Sequence, residues 1–213
     1  MDRLRLTEIF YSLQGETRTV GLPTVFVRLT GCPLRCQYCD TAYAFHGGAW
    51  YEIDAILAEV KKYNAHYVTV TGGEPLAQKA CISLLEQLCD AGYEVSLETS
   101  GALLVAGVDP RVVKVVDIKT PGSREADKNH WENIAHLLPH DQVKFVICDQ
   151  ADYEWSKQIF SQYALSDRCQ VLFSPSYQQL KAADLADWIL KDQLPVRFQI
   201  QLHKYLWGDV AGR

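Results

Sequence analysis

From Pro23 onward, short apolar runs rich in β-branched residues alternate with stretches of helical periodicity, and most of the runs end in small polar residues. This alternation constrains the fold more than any other feature, because parallel strands need a crossover long enough to bring the chain back to the same edge. The run "PTVFVRLTG" (23–31) leads into a cysteine-rich loop and then "YEIDAILAEVKKYN", where Ile53, Ile56, Leu57 and Val60 recur at the spacing of one helical face. "HYVTVTGG" predicts a strand, "CISLLEQLCDAG" a helix stopped by glycine, and "YEVSLETSG" and "VVKVVDIKTPG" two more strands. "QVKFVI", "YEWSKQIFSQYAL", "QVLFSPS", "LKAADLADWIL" and "VRFQIQLHKYLW" predict strand, helix, strand, helix and a last strand through to the end. The polar, turn-rich stretch "TPGSREADKNH" (120–130) is expected to be a mobile loop.

Six or seven such units are too few for a closed eight-stranded barrel. They predict a compact α/β fold, an open or partial β/α barrel with its functional loops at the C-terminal ends of the strands. A length of 213 residues at 48% hydrophobic composition suits one domain over 1–213. The net charge of -5 argues against a general nucleic-acid binder. No apolar run approaches the roughly 18 residues of a membrane span. "MDRLRLTEIF" lacks the apolar core of a signal peptide, so no membrane partner and a cytoplasmic location are expected. Seven cysteines, an odd number with three crowded together, read as reduced thiols rather than a disulfide framework. Cys81, Cys89, Cys148 and Cys169 fall in helix or strand patterns and read as small core residues.

The crowded trio, Cys32, Cys36 and Cys39 in "GCPLRCQYCDT" (31–41), follows the first long strand. Three thiolates leave two readings open. One is a zinc knuckle completed by His46, and the other is an iron-sulfur cube with one iron left open for a ligand. After the next strand, "TGGEP" (71–75) allows close backbone approach at its glycines and offers Glu74 to an ammonium, although an ordinary strand-to-helix turn would look the same. Arg28 lies in an apolar strand and needs a carboxylate partner, supplied either by a ligand or by Glu8 or Glu16. Glu16 reads equally as a solvated loop charge, and "Asp40-Thr41" as a helix cap or turn.

"CPLRCQYC" (32–39) resembles the cysteine motif of the radical S-adenosylmethionine (SAM) superfamily, with Tyr38 at its aromatic position and "TGGEP" as the superfamily's glycine-rich strand end. "EIFYSLQGE" (8–16), "GLPTVFVRLTGC" (21–32) and "QLHKYLW" (201–207) resemble the 7-carboxy-7-deazaguanine synthase family, so the likeness covers essentially the whole chain. It implies a [4Fe–4S] cluster on Cys32, Cys36 and Cys39 whose open iron binds SAM, and a magnesium ion ligated by Thr41. It also implies conversion of 6-carboxy-5,6,7,8-tetrahydropterin to 7-carboxy-7-deazaguanine with loss of ammonia, on the way to 7-deazapurines such as queuosine. An electron donor such as a flavodoxin and a homodimer are implied as well.

Carried over by position, the resemblance puts substrate contacts on Leu13, Gln14, Gly15, Arg28 and Thr71. It puts SAM contacts on Gly73, on Asp117, Ile118 and Lys119, and on Ser174, Pro175, Ser176 and Tyr177. Glu98 corresponds to a carboxylate facing the substrate ring, with a structural role bonded to Thr99 or a nearby amide as the alternative. His203 and Lys204 look like a wall closing over the pterin, with a satisfied core histidine as the alternative. The chain departs from the family at "Asp-Ile-Lys", where "Ser-Pro-Lys" is common, and in continuing as "WGDVAGR" where some members stop. A glycyl-radical-activating enzyme acting on a protein partner would share the cysteines and "GGEP" but has no evident use for "SLQGE" or "HKYLW". A non-enzymatic zinc or iron-sulfur module is the other alternative.

Overall fold

The structure, a computed structural model, describes residues 2–208 and 210–212. Among these residues nine strands form one sheet in the order β3-β1-β2-β4-β5-β6-β7-β8-β9. β1 (Arg3–Leu13) runs antiparallel to β2 (Pro23–Leu29), and β3 (Ala49–Glu52) runs antiparallel to β1. From β2 the sheet is parallel through β4 (Tyr67–Gly72), β5 (Glu94–Thr99), β6 (Val113–Asp117), β7 (Gln142–Ile147), β8 (Gln170–Pro175) and β9 (Arg197–Phe198). The crossovers carry α1 (Ile53–Lys61), α2 (Cys81–Asp90), α3 (Gln150–Gln162) and α4 (Ala182–Asp192). The β3 and β9 edges are not joined, so the barrel is open as the sequence predicts.

Strand alternation sorts the side chains into two faces. Val25, Val27, Leu29, Val68, Val70, Val95 and Leu97 turn outward under α1 and α2, where they form one buried cluster with Ile56, Val60, Leu84 and Leu88. Val143, Phe145, Val171 and Phe173 build a second cluster with Tyr153, Ile159, Leu185 and Ile189 of α3 and α4. Each fully buried Val, Leu or Ile contributes roughly 1.5–3 kcal/mol, so these outer layers hold the sheet. Parallel strands covered on both faces by helices are apolar at nearly every position. Here the alternate positions are polar: Thr69 and Thr71 on β4, Ser96 and Glu98 on β5, Gln142 and Lys144 on β7. This second set faces the inside of the half-barrel.

The structure differs from the sequence reading in four places. No strand was expected before Pro23, but Arg3–Leu13 form β1, paired antiparallel to β2. "VRFQIQLHKYLW" is not one strand: β9 spans only Arg197–Phe198, and Leu202–Trp207 form a helix, α5, whose first residue donates its backbone N–H to the Gly15 carbonyl at 3.0 Å. Only two residues pair with β8, and beyond them the chain turns across the barrel mouth to meet the β1–β2 loop. Tyr51 and Glu52 belong to the exposed edge strand β3, and α1 begins at Ile53. The 120–130 loop is tied down by the buried Asp152 carboxylate, which accepts from Thr120 Oγ1 at 2.8 Å and from the Gly122 amide at 2.7 Å.

Candidate active site

A cavity of about 620 Å³ opens at the C-terminal ends of the parallel strands. The loop after β2 brings Cys32, Cys36 and Cys39 to its wall, all three half-buried and unpaired. Gly31, at φ 100°, turns the chain out of β2, and the Leu34 amide reaches back to Cys32 Sγ at 3.4 Å. The loop is held from its other side, where the Gln37 amide donates to the Ser123 carbonyl at 3.2 Å and the Gln37 and Gln179 side chains bond each other. Gly73 packs directly against it, and a Cβ there would run into the Gly31 carbonyl and Cys32 Cβ. Burial raises the Cys32 and Cys39 thiols and pushes Cys36 up to about 11.

Such buried thiols ionise only when a cationic centre compensates the lost hydration, which suits a metal cluster. Among the described residues no three His, Cys, Asp or Glu side chains converge closely enough for a single metal ion, and His46 is exposed, so the geometry does not favour the zinc knuckle. Beside the cysteines, the Tyr38 hydroxyl and Asp117 Oδ1 are buried and have no hydrogen-bond partner among the described residues. Buried polar atoms are rarely left in this state, and a nucleoside bound alongside the thiols would bring donors and acceptors to them. The residues present therefore fit both the cluster and SAM.

Glu74 behaves differently from the sequence reading. Its carboxylate is fully buried and turned away from the cavity, accepting from Thr99 Oγ1 at 2.9 Å, from the Leu76 amide at 3.0 Å, from the Ser100 amide at 2.7 Å and from Ser100 Oγ. It has no capacity left for a ligand ammonium and instead ties the "TGGEP" turn to the end of β5.

The same cavity is lined by Leu13, Gln14, Gly15, Arg28, Thr71, Glu98 and His203. Glu98 accepts from Gln14 Nε2 at 3.2 Å and from Thr71 Oγ1 at 3.0 Å, not from Thr99, and burial raises its carboxyl above the usual range. Arg28 Nε donates to Glu8 Oε1 at 2.8 Å, and the Tyr43 hydroxyl donates to the same oxygen at 2.8 Å. The intramolecular partner foreseen for Arg28 is thus Glu8, while the guanidinium, near the rings of Phe10 and Tyr43, stays on the cavity wall. Thr41 precedes a short 3-10 turn without capping it; its hydroxyl donates to Asp40 Oδ1 at 2.8 Å. Lys204 pairs with Asp40 at 3.0 Å and, against the effect of burial, holds that carboxyl far below the usual range. His203 packs on Gly15, and burial lowers its imidazole below the ordinary value.

Of the remaining positions singled out in the sequence, Asp117, Lys119, Ser176 and Tyr177 line the cavity and three do not. Ile118 packs into the second core cluster, and Ser174 and Pro175 are buried within β8, so these three could meet a ligand only through backbone. Reading the sequence missed Lys144 and Gln201. It also left Glu16 as a solvated charge, whereas Glu16 bonds Lys144 at 2.8 Å and Gln201 at 3.0 Å. The polar alternation "Gln142-Val-Lys144-Phe" in a strand expected to be buried was the available signal.

Residues 26–116 match the model of the radical SAM superfamily. A 7-carboxy-7-deazaguanine synthase of Koribacter versatilis is 43% identical over 219 residues, covering 96% of this chain and 97% of that one. A synthase of the same name from Chlorobaculum tepidum is 44% identical over 211 residues, covering 98% and 96%. Among solved structures, QueE from Escherichia coli shares the fold at a TM-score of 0.78 and 21% identity, over 94% of this chain and 95% of that chain. Streptococcus suis SuiB bound to S-adenosylmethionine shares it at 0.57 and 14% identity, over 80% and 45%.

Proposed function

The chain belongs to the 7-carboxy-7-deazaguanine synthase family of the radical SAM superfamily, and from that membership we propose that it converts 6-carboxy-5,6,7,8-tetrahydropterin to 7-carboxy-7-deazaguanine and ammonia. The observation that carries this reading is one cavity lined both by three free thiols and by an arginine, a buried glutamate and amide and hydroxyl groups. The thiols suit a cluster with SAM, and the polar groups suit a flat, carboxylated heterocycle rich in N–H groups.

In this reading Cys32, Cys36 and Cys39 hold a [4Fe–4S] cluster, and Gly73, Asp117, Lys119, Ser176 and Tyr177 surround SAM, with backbone help from Ile118, Ser174 and Pro175. When bound, cluster and cofactor supply one-electron reduction and hydrogen-atom abstraction. The protein's share is positioning. Arg28, steadied through Nε by Glu8, turns the rest of its guanidinium to the substrate carboxylate. Glu98, held by Gln14 and Thr71, faces the ring, and burial, by raising its pKa, favours proton exchange with a ring N–H there. The Leu13–Gly15 backbone and His203 close on the ring edges, and α5 with Val210, Ala211 and Gly212 keeps water from the reacting carbon. Thr41, beside Asp40, offers a hard oxygen to magnesium. The near-full-length likeness to 7-carboxy-7-deazaguanine synthases weighs against a protein partner as substrate. Residues 1–213 act as a single radical SAM domain, working as a cytoplasmic homodimer served by an electron donor such as a flavodoxin. No helix among the described residues is long and apolar enough to cross a membrane.

The test is anaerobic reconstitution with iron and sulfide, followed by assay with SAM, a reductant and the carboxylated tetrahydropterin. We expect equal amounts of 7-carboxy-7-deazaguanine and ammonia, abolished in C36A and reduced by magnesium chelation. An intact cluster that cleaves SAM without converting the pterin would overturn the reading.

A further inference from the structure

Lys144 sits on the inner face of β7, directly beside Asp117 in the β6–β7 register, and its side chain is only 14% exposed. Its ammonium is 2.8 Å from Glu16 Oε2 and 3.4 Å from Asp117 Oδ2. Burial works against its charge, but Glu16, Asp117 and Glu98 outweigh it and keep the lysine protonated. These three carboxylates belong to different parts of the site: Glu16 follows the Leu13–Gly15 segment, Glu98 faces the ring pocket, and Asp117 lies with Lys119 and Tyr38 on the thiol side. Glu16 passes the connection on, because Gln201 Nε2 donates both to Glu16 Oε1 at 3.0 Å and to Asp40 Oδ2 at 3.2 Å. A continuous polar belt therefore runs from β6 through Lys144 to the C-terminal closing segment.

We propose that Lys144 is a positioning residue that locks the ring pocket to the SAM pocket, so that SAM is cleaved productively only against a correctly seated pterin. The inference rests on the functional reading above and goes beyond it in assigning the coupling to one side chain. The physical reason is geometric. Two ligands must meet with their reacting atoms within a narrow range of separation, and a shift of about 1 Å costs as much as a hundredfold in rate. A single buried ammonium held by a carboxylate from each pocket fixes their spacing in a low-dielectric site, where charge-assisted bonds are stiffest.

The experiment compares wild type, K144M and K144R. Reconstituted enzyme is assayed for the ratio of 5′-deoxyadenosine to deazaguanine, and cluster-free protein is titrated calorimetrically with the pterin. We expect K144M to raise the ratio at least about fivefold and to weaken pterin binding about tenfold, the size of a typical coupling between sites, with K144R recovering most of both. Loss of folded protein lowers both products together and leaves the ratio unchanged, so a merely structural lysine would not move it. If K144M does not fold, E16Q carries the same test, since it removes the charge that holds Lys144 toward the ring pocket, and the same two shifts are expected. A K144M or E16Q protein with wild-type ratio and affinity overturns the inference while leaving the function standing. Wild type that neither binds nor converts the pterin overturns the function and the inference with it.

Discussion

Glu74 and Glu98 lie on neighbouring strands or their ends and do opposite work. Glu98 accepts two side-chain bonds and keeps a face toward the cavity; Glu74 accepts from Thr99, Ser100 and Leu76 and keeps none. Removing Glu74 would leave several buried donors without acceptors, at about 1–3 kcal/mol for each that finds no substitute. We expect E74A to lose about 2–4 kcal/mol in denaturant unfolding. E98Q is expected to unfold close to wild type, since its amide oxygen can still accept from Gln14 while the Thr71 hydroxyl turns to accept from the new NH2 group. Unchanged stability in E74A would show that the donors around the carboxylate find other acceptors and that it does not hold the turn. The sequence offered both as ligand-facing carboxylates, Glu74 to an ammonium and Glu98 to the substrate ring; Glu74 turns away from the cavity because Thr99 and Ser100 stand beside it.

α5 is the element whose position matters most to function, and it is tied to the β1–β2 loop and to Asp40. Leu202 bonds the Gly15 carbonyl, His203 lies on Gly15, and Gln201 and Lys204 reach Asp40. A side chain at Gly15 would collide with the His203 ring and push α5 off the mouth. We expect G15A to raise KM for the pterin about tenfold or more while SAM cleavage without substrate stays near the wild-type rate, measured by steady-state kinetics and 5′-deoxyadenosine release. Equal loss of both activities would mean that α5 orders the SAM pocket as well.

For the whole molecule, the division of labour between the two faces of the sheet separates stability from chemistry. The apolar clusters lie outside, under the helices, and no residue of the thiol loop is a member of either. Without the cluster we expect hydrogen exchange to accelerate across residues 31–45 while strand amides in β4, β5 and β7 keep their protection, because local opening follows local contacts. Global unfolding on cluster removal would show that the metal holds the core. The strand-helix order, the open barrel, the three thiols and most of the cavity wall were legible in the sequence, because hydrophobic periodicity and residue chemistry are local properties. The antiparallel strand β1, the helical end of the chain, the inward aim of Lys144, and the retreat of Ile118, Ser174 and Pro175 from the wall were not. Each depends on which distant segment arrives alongside, and a buried charge takes whichever partner the closed sheet brings within reach.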